Sequence, residues 1–552
     1  MLARMTESPL ASATDAFSSL LEVLPRERTR LLDNLVRIRR EVGPITPQRS
    51  DALADHMGIR RGEVAEVVSF YSYLRLPLDC LRVCTGPVCD CLGARNLLSL
   101  AERLAPASLP VVEVPCLGHC DVAPVATRGD AVLPLLDESL LRAAIEGEEA
   151  PTVSRRTNDG PSLGLAQPDG SLAEYERRGG LAALRALPSR ERVLAELGTS
   201  GLVGYGGAGF PVQRKWAAVL EQPKPRVVIV NADEGEPGTV KDRYILELRP
   251  HLLLEGMLIA ARVVEAERVI VYIREEYALA RTRLQEVLAE ARAAGLLEGV
   301  TVEVVSGAGS YVCGEETALL ESLEGRRGMP RLRPPFPAQA GYLGLPTLIN
   351  NVETLAHIPA ILRHGGRWFA SLGVRGATGA RLWSVSGAVA RPGCYEAPNG
   401  ITLRELIEHH AGGATAQIGA VVPGGAASGL LPPAALDVPL TREGLAEWGC
   451  GVGSAGVQVF PSRYPIVRLV RETMRFFAEE SCQKCTPCRI GTRALGHVLA
   501  ELEEGRTVMS RQRLEEWLLA MERGSICGLG QGAPVPMRTA MRHWPQVFAP
   551  LR

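Results

Sequence analysis

The placement of the cysteines constrains this chain more than any other feature of its sequence. The chain has 13 cysteines, an odd number, and most of them fall into three tight groups at residues 80–91, 116–120 and 482–488. An odd, clustered set in a large chain argues against a framework of disulfide bonds. The grouping instead indicates that the thiols bind metal ions or clusters.

The third group, Cys482-x2-Cys485-x2-Cys488, places three thiols close together, and a fourth, Cys527, follows in GSICGLG. Three close thiolates and one distant thiolate suit the corners of a [4Fe–4S] cube. Zinc sites more often use two Cys-x2-Cys pairs. The spacing therefore predicts a [4Fe–4S] cluster, with zinc and plain core cysteines as alternatives.

Two cysteine pairs, Cys84-x4-Cys89 and Cys116-x3-Cys120, each follow a predicted strand near the start of the chain. Two pairs from two strand ends suit a [2Fe–2S] rhomb. Zinc and structural cysteines are compatible with the same spacing. Cys80 and Cys91 are not expected ligands, although Cys91 competes with Cys89 for that role.

The overall composition excludes several classes of partner. Lys plus Arg number 61 and Asp plus Glu number 62, so neither nucleic acid nor an anionic membrane is expected to bind. No run approaches the roughly 18 apolar residues of a membrane-spanning helix. The first twenty residues lack the apolar run of a signal peptide and are expected to form a loose tail. These features predict a cytoplasmic protein without membrane or nucleic-acid partners.

The first third of the 552-residue chain contains one small domain and a connection. Helical spacing of apolar residues predicts helices over 14–75. Short strands then alternate with helices over 81–146, which indicates a small α/β domain. Residues 150–172 are polar and rich in Gly, Pro and Ser, so they are predicted to be a linker.

The rest of the chain changes character twice. Continuous β-branched runs at 226–230 and 268–273 predict the buried parallel strands of a larger α/β domain. Short strands and the glycine-rich VVPGGAASG predict a small β-rich domain over 380–440. From residue 465 the pattern is helical.

A glycine-rich segment, Gly204-Tyr-Gly206-Gly207-Ala-Gly209, matches G-x-G-x-x-G. It follows a helix-like stretch and not a strand, so its context differs from a Rossmann loop. Glycine-rich turns still offer backbone N–H groups to phosphate, and Lys215 adds a positive charge nearby. A plain turn is the alternative.

Three further polar elements stand at the ends of apolar segments. They are NADEGEPG (231–238), the run Gly314-Glu315-Glu316, and NNVET (350–354). Acids packed at a strand end are costly unless they bind a ligand or face solvent. A ribose or an isoalloxazine edge would offer donors to them, whereas a solvated face is the alternative for any one element alone.

Several long motifs together resemble one family. Residues 173–550 or so resemble the NADH-oxidising flavoprotein subunit of respiratory complex I and its diaphorase relatives. The motifs that carry this resemblance are GGAGFP, NADEGEPGTVKDR, GAGSYVCGEETALLESLEGRRGMPRLRPPFPA, INNVET and ESCQKCTPCRIGT. FYSYL, VCTGPVC and CLGHCDVAP in residues 1–146 resemble the small thioredoxin-like [2Fe–2S] subunit of the same machinery.

The resemblance implies a multidomain α/β protein. A helical segment plus a thioredoxin-like [2Fe–2S] domain would occupy residues 1–149, and a Rossmann-like FMN- and NAD-binding domain 173–370. A ubiquitin-like, β-rich domain of the SLBB type would follow over 371–460, and a helical [4Fe–4S] domain over 461–552.

The resemblance also implies binding residues, motif by motif. FMN would be lined by Gly204, Gly206, Gly207, Asn231, Asp233, Tyr311, Gly314, Glu315, Asn350, Asn351 and Thr354. The nicotinamide nucleotide would face Phe210, Lys215, Glu234, Glu236, Glu316 and Phe336, with the two Phe rings stacked on its bases.

Two residues depart from the usual family motifs: Tyr205 replaces an Arg, and Gln213 replaces a Gly. The expected cluster ligands show no departure. They are Cys84, Cys89, Cys116 and Cys120 for the [2Fe–2S] cluster, and Cys482, Cys485, Cys488 and Cys527 for the [4Fe–4S] cluster.

The implied activity is hydride exchange between NAD(H) and FMN, followed by single-electron exchange with the clusters, which requires no catalytic acid or base. ESCQKCTPCRIG and the segment GSICGLGQGAPVPMRTAMRHWPQVFAPLR look most like the diaphorase subunits of NAD-dependent formate dehydrogenases. The expected partner is therefore a formate-oxidising alpha subunit with molybdenum or tungsten. The alternatives are the diaphorase subunit of a soluble NAD-reducing hydrogenase, a subunit with complex I or another complex as its partner, and a non-catalytic electron-carrier scaffold.

Overall fold

The computed structural model describes residues 9–506 and 509–551. The chain begins with a group of helices whose bounds are Pro9–Val23, Leu31–Glu41, Pro47–Met57, Arg61–Phe70 and Ser72–Arg75. The expected loose tail over the first twenty residues is wrong from Pro9 onward, because residues 9–20 lie in a helix and Leu20 is buried in the core of this helical group. Residues 1–8 lie outside the described residues.

A small α/β domain follows the helices. Its strands are β1 (Leu81–Cys84), β2 (Val111–Val114), β3 (Ala126–Arg128) and β4 (Ala131–Leu133). Their order in the sheet is β2-β1-β3-β4, with β1 parallel to β2 and antiparallel to β3. Its helices are Pro87–Cys91, Ala94–Leu104 and Glu138–Glu146.

The predicted linker connects this domain to the next, and it contacts distant parts of the chain along its length. Residues 151–170 contain no helix or strand. The backbone N–H groups of Ser162 and Leu163 donate to the Glu396 carboxylate at 2.8 and 2.9 Å. Arg155 pairs with Glu247. The glycine and proline content correctly indicated irregular structure, but these long-range contacts fix the segment.

The large α/β domain contains a parallel sheet of β5 (Arg226–Ala232), β6 (Ala266–Ile273), β7 (Thr301–Ser306) and β8 (Thr347–Asn351). The order is β7-β6-β5-β8. Its helices are Leu172–Arg177, Ala182–Arg185, Arg190–Ser200, Val212–Leu220, Lys241–Leu248, Pro250–Val264, Ala278–Ala293, Glu316–Leu323, Pro337–Ala340, Val352–Ala356, Ile358–His364 and Gly366–Ser371.

The two faces of this sheet are covered by different parts of the chain. Alternate residues of β5 point to opposite faces. Val228 and Val230 pack with the helices of the same domain. Val227 and Ile229 pack in one core with Leu31 of the N-terminal helices. The N-terminal helices therefore complete the large α/β domain, while the small α/β domain keeps a core of its own.

The third domain is a mixed sheet of β9 (Ala380–Gly387), β10 (Gly393–Pro398), β11 (Ile418–Val422) and β12 (Gly456–Pro461). The order is β10-β9-β12-β11, with the central pair parallel and the outer pairs antiparallel. Its short helices are Leu403–Glu405 and Arg442–Ala446.

The C-terminal domain is helical, as the sequence predicts. Its helices are Ile466–Glu479, Thr486–Glu503, Arg511–Gly524, Gly528–Gly532 and Pro534–His543. Among the described residues, no helix combines the length and the hydropathy needed to cross a membrane.

Candidate functional site

The predicted flavin site forms at one edge of the parallel sheet. Because the strands are parallel, their carboxyl ends meet at the same edge, which is where open α/β sheets bind ligands. β5 ends at Ala232 and β8 ends at Asn351. The glycine-rich loop reaches this edge, because the Tyr205 N–H donates to Thr354 Oγ1 at 2.9 Å. Four separate sequence motifs thus come together in space.

The glycine-rich loop adopts a backbone that only glycine tolerates well. Gly207 and Gly209 have φ of 116° and 64°, and a Cβ atom on either would meet nothing within 4 Å. Gly206 approaches Asn351 so closely that an added Cβ would lie 3.3 Å from that side chain. The loop is therefore an open cradle whose backbone a phosphate or ring can approach. It lies between two helices, as its sequence context predicts.

Asp233 supplies a test of whether these residues suit a flavin. Its Oδ2 atom is buried and has no hydrogen-bond partner, and burial raises the pKa of the carboxyl well above its usual range. A buried acceptor without a donor is costly. Asn231 beside it donates to the Gly314 carbonyl at 2.8 Å. A group that brings a donor, such as a ribityl chain or an isoalloxazine, fits this position.

Several other predicted flavin contacts already have protein partners. Asn350 accepts from the Trp216 indole at 2.9 Å. Asn351 donates to Asp242 at 2.6 Å. Glu315 caps the helix Glu316–Leu323, since its Oε2 accepts from two backbone N–H groups. These side chains shape the site, and their direct contact with FMN stays a prediction.

The acids predicted to face the nucleotide do not form one group. Glu234 is 6% exposed, and its carboxylate accepts from the N–H groups of Asp242 and Arg243 at 3.0 and 3.2 Å. Burial, followed by the charge of Asp242, raises the pKa of Glu234 to about 7. Glu236 accepts from the Tyr311 hydroxyl and from the Ala427 N–H. Both carboxylates are thus held by the protein itself.

The remaining nucleotide candidates are partly open to solvent. Lys215 forms an ion pair with Glu316 and donates to the Ile349 carbonyl at 2.9 Å. The rings of Phe210 and Phe336 are 50% and 52% exposed. Exposed aromatic rings at a ligand-binding edge suit stacking on a base.

The departure at Tyr205 has a clear structural role. Its hydroxyl donates to the Ala380 carbonyl and accepts from the Asn399 amide, both at 3.1 Å. The Arg381 guanidinium lies 4.7 Å from the ring centroid. Tyr205 therefore anchors the glycine-rich loop to β9 of the ubiquitin-like domain. Gln213 lies in the helix Val212–Leu220.

The four expected [2Fe–2S] ligands meet at the ends of β1 and β2. The Cys84 thiol interacts with the thiols of Cys89 and Cys116, and Cys116 interacts in turn with Cys120. Cys91 instead has Arg463 and Asp90 as its electrostatic neighbours. Cys89 therefore shares contacts with the other expected ligands, and its role as the ligand in place of Cys91 stays a prediction.

The four expected [4Fe–4S] ligands line one pocket, together with Lys484 and Leu529. These ligands are Cys482, Cys485, Cys488 and Cys527. Backbone approaches closely here, since a Cβ on Gly530 would lie 2.8 Å from that of Cys488. Four thiols around one small pocket suit the corners of a [4Fe–4S] cube.

Comparison with known families agrees with each of these sites. Residues 197–360 match the family described as "Nuo51 FMN-binding domain". Residues 468–550 match the "NADH-ubiquinone oxidoreductase-F iron-sulfur binding region". Residues 17–148 match the "Thioredoxin-like [2Fe-2S] ferredoxin" family, and residues 383–425 match the SLBB domain.

Comparison with individual relatives shows which family this chain belongs to. An F-type subunit of the NADH-quinone oxidoreductase of Rhizobium meliloti is 43% identical over 397 residues, which cover 69% of this chain and 94% of the relative. The F-type subunit of the Streptomyces coelicolor enzyme is 42% identical over 391 residues, covering 68% and 87%. The chain belongs to the family of F-type NADH-quinone oxidoreductase subunits. Membership confirms the resemblance and identifies an NADH-oxidising, diaphorase-type subunit.

A solved structure extends the likeness to nearly the whole chain. It is the structure of a NAD+-reducing [NiFe]-hydrogenase in the air-oxidized state, with a TM-score of 0.85 and 34% identity, covering 96% of this chain and 95% of that one. The comparisons confirm the predicted fold class and all four cofactors: FMN, NAD, a [4Fe–4S] cluster and a [2Fe–2S] cluster. Zinc at the cysteine sites and a scaffold without flavin find no support.

Sequence reasoning missed the residues that join these sites. Arg243, Asp121 and Tyr277 are buried between the flavin domain and the [2Fe–2S] domain. Glu480 accepts from the Tyr311 N–H at 2.8 Å and so joins the flavin edge to the [4Fe–4S] domain. The contacts that join the domains pair residues more than a hundred positions apart in the chain, so no local pattern indicates them.

Proposed function

We propose that this chain is the NAD-reducing diaphorase subunit of a complex in which a partner subunit oxidises formate at a molybdenum or tungsten centre. The segment 231–238 supports the diaphorase part of this proposal, because it links the flavin edge to both cluster domains. It leaves the flavin edge at Asn231. Through Glu236 it meets Tyr311, whose ring packs on Phe476 of the [4Fe–4S] domain. Through the Gly238 N–H it meets the sulfur of Cys120.

The chain's own residues position the reactants. The glycine-rich loop and Asp233 would hold FMN, and the half-exposed Phe210 and Phe336 would hold the bases of the nucleotide. FMN, when bound, supplies the step between two-electron hydride exchange and single-electron transfer. Tyr311 and Gly238 keep both cluster domains against the flavin edge. No acid or base from the protein is required.

The choice of formate rests on sequence. ESCQKCTPCRIG and the segment after Gly524 look most like the diaphorase subunits of formate dehydrogenases. None of the 13 cysteines, all of which the structure describes, forms a disulfide bond, which suits a reducing compartment and supports our placement of the complex in the cytoplasm.

A second candidate is the diaphorase subunit of a soluble NAD-reducing hydrogenase. It is favoured by the solved hydrogenase structure, which matches both the [2Fe–2S] part and the flavin part of this chain. Both candidates share the chemistry of the flavin site, and they differ only in the partner.

The two candidates are separated by purifying the native complex and assaying formate:NAD+ and H2:NAD+ activities side by side. Formate activity together with molybdenum or tungsten supports the first candidate. Hydrogen uptake with nickel and without formate activity refutes it, and leaves the diaphorase assignment intact. The isolated chain should reduce ferricyanide with NADH in either case.

A further inference from the structure

A buried guanidinium joins the flavin domain to the loop that carries two [2Fe–2S] ligands. Arg243 belongs to the helix Lys241–Leu248 and is completely buried. It donates to the Gly118 carbonyl at 3.0 Å and to Asp121 Oδ1 at 2.5 Å. Tyr244 donates to the other oxygen of Asp121 at 2.9 Å. These contacts fall on both sides of Cys120.

The same part of the flavin domain touches a ligand sulfur directly. The Gly238 N–H donates to the Cys120 Sγ at 3.2 Å. The Gln458 side chain donates to the Pro237 carbonyl at 3.0 Å and fills the space where a Gly238 Cβ would lie. The amide is therefore held in place from the ubiquitin-like domain.

We propose that Arg243 sets the reduction potential of the [2Fe–2S] centre, as a positioning residue contributed by the flavin domain. Cluster potentials depend on nearby net charge, on hydrogen bonds to the sulfurs and on solvent exposure. A buried cation stabilises the reduced cluster, which carries one more negative charge, because solvent screens the interaction little there. The Gly238 N–H acts in the same direction.

The charges around Arg243 make the sign of the effect testable. Asp121 pairs with its guanidinium and offsets part of its charge. Glu247 lies 3.9 Å from Arg243 but is itself paired with Arg155. Removing the cation leaves the Asp121 carboxylate without its ion-pair partner next to the cluster and lowers the potential. Removing the anion leaves Arg243 with only the more distant Glu247 and raises the potential.

A purely structural role predicts something different. Arg243→Gln and Asp121→Asn break the same ion pair, so loosening of the interface would move the potential in the same direction in both variants. Opposite shifts therefore identify an electrostatic role. The inference depends on the [2Fe–2S] centre and not on the substrate of the partner.

The experiment is an EPR-monitored redox titration of the full-length chain with its cofactors, at fixed pH and ionic strength, with iron content measured first. Arg243→Gln should lower the equilibrium constant for reduction of the [2Fe–2S] centre about tenfold, or about 59 mV for one electron. Asp121→Asn should raise it. The [4Fe–4S] signal serves as an internal reference and should not move.

Arg249→Gln is the matched control. Arg249 follows the same helix and pairs with Asp169 at 2.7 Å, away from the cysteines. Its substitution should leave both potentials unchanged. Shifts of the same sign in Arg243→Gln and Asp121→Asn, or no shift in either, overturn the proposal. If Arg243→Gln does not assemble its cluster, the Asp121→Asn titration decides alone, and an unchanged or lowered potential overturns it.

Discussion

Lys215 and Glu316 form an ion pair at the carboxyl edge of the flavin sheet, where both side chains remain partly open to solvent. Glu234 and Glu236, by contrast, are satisfied by protein donors. Of the three acids expected to face the nucleotide, Glu316 is therefore the one placed to repel a charged group on an entering ligand.

This placement predicts that Glu316 dominates the preference for NADH over NADPH. A carboxylate beside the 2′-phosphate of NADPH disfavours binding, and its removal also frees the Lys215 ammonium to attract phosphate. Glu316→Gln should raise the ratio of kcat/KM for NADPH to that for NADH about tenfold, or about 1.4 kcal/mol. NADH–ferricyanide and NADPH–ferricyanide kinetics measure this ratio.

Glu138→Gln is the control, because Glu138 is an exposed acid in the thioredoxin-like domain. Its substitution should change neither kcat/KM value. An unchanged ratio in Glu316→Gln would refute the assignment.

The cysteine sites were the part of the function most readable from sequence. Three of the expected [4Fe–4S] ligands, Cys482, Cys485 and Cys488, are close together in the sequence. Their spacing can therefore be recognised without knowledge of the fold. The roles of the acidic residues near the flavin edge are harder to assign from sequence. A carboxylate at a strand end gives the same sequence pattern whether it contacts a ligand or a backbone N–H group from a distant part of the chain. Glu236 accepts from Ala427, 191 residues away, and only the folded structure reveals that partner.

Local sequence patterns indicate the strands of the large sheet but not the residues that cover it. Continuous β-branched runs predicted β5 and β6 because burial on both faces requires apolar residues at every position. Nothing local showed that Leu31 covers one face of that sheet. The linker over 150–172 was predicted from composition, yet Ser162 and Leu163 bind Glu396 there.

Cys527 is predicted to be the distant ligand of the [4Fe–4S] cluster. It lines the same pocket as the three clustered thiols. Cys527→Ala should reduce iron content and abolish the EPR signal of that cluster, because a cube with three thiolates is poorly held. NADH–ferricyanide activity, which needs only the flavin, should largely survive.

Cys450→Ala is the control for that experiment. The Cys450 thiol lies in the core of the ubiquitin-like domain and contacts the Leu430 carbonyl at 3.6 Å. Its loss should leave the cluster intact. An unchanged [4Fe–4S] signal in Cys527→Ala would move the fourth ligand elsewhere.

Glu234 is predicted to make stability depend on pH. Its pKa is raised to about 7 by burial and by the charge of Asp242, so the folded protein favours the neutral carboxyl. The stabilisation is present below the ordinary pKa of 4.5 and is lost as pH rises through 7. Its size is on the order of 3 kcal/mol. Glu234→Gln stays neutral and should flatten this dependence.

Thermal unfolding of wild type and Glu234→Gln between pH 4.5 and 8 measures the effect. The apparent Tm of wild type should fall relative to that of the variant as pH rises across this range. Parallel Tm profiles for the two proteins would show that Glu234 does not titrate there. Glu138→Gln, at an exposed position, should follow the wild-type profile.

Phe336 is predicted to bind the nucleotide by stacking. Its ring is half exposed, as is that of Phe210, and stacking of a base on an aromatic ring contributes about 1–3 kcal/mol. Phe336→Ala should therefore raise KM for NADH about tenfold, while flavin content and kcat change little, because the ring would contact the nucleotide away from the reacting atoms. Steady-state NADH–ferricyanide kinetics on protein of known flavin content measure both constants.

Leu343→Ala is the control, because it removes a similarly exposed apolar side chain from the same region of the chain. It should leave KM for NADH unchanged. If Phe336→Ala and Leu343→Ala behave alike, the exposed ring has no role in nucleotide binding.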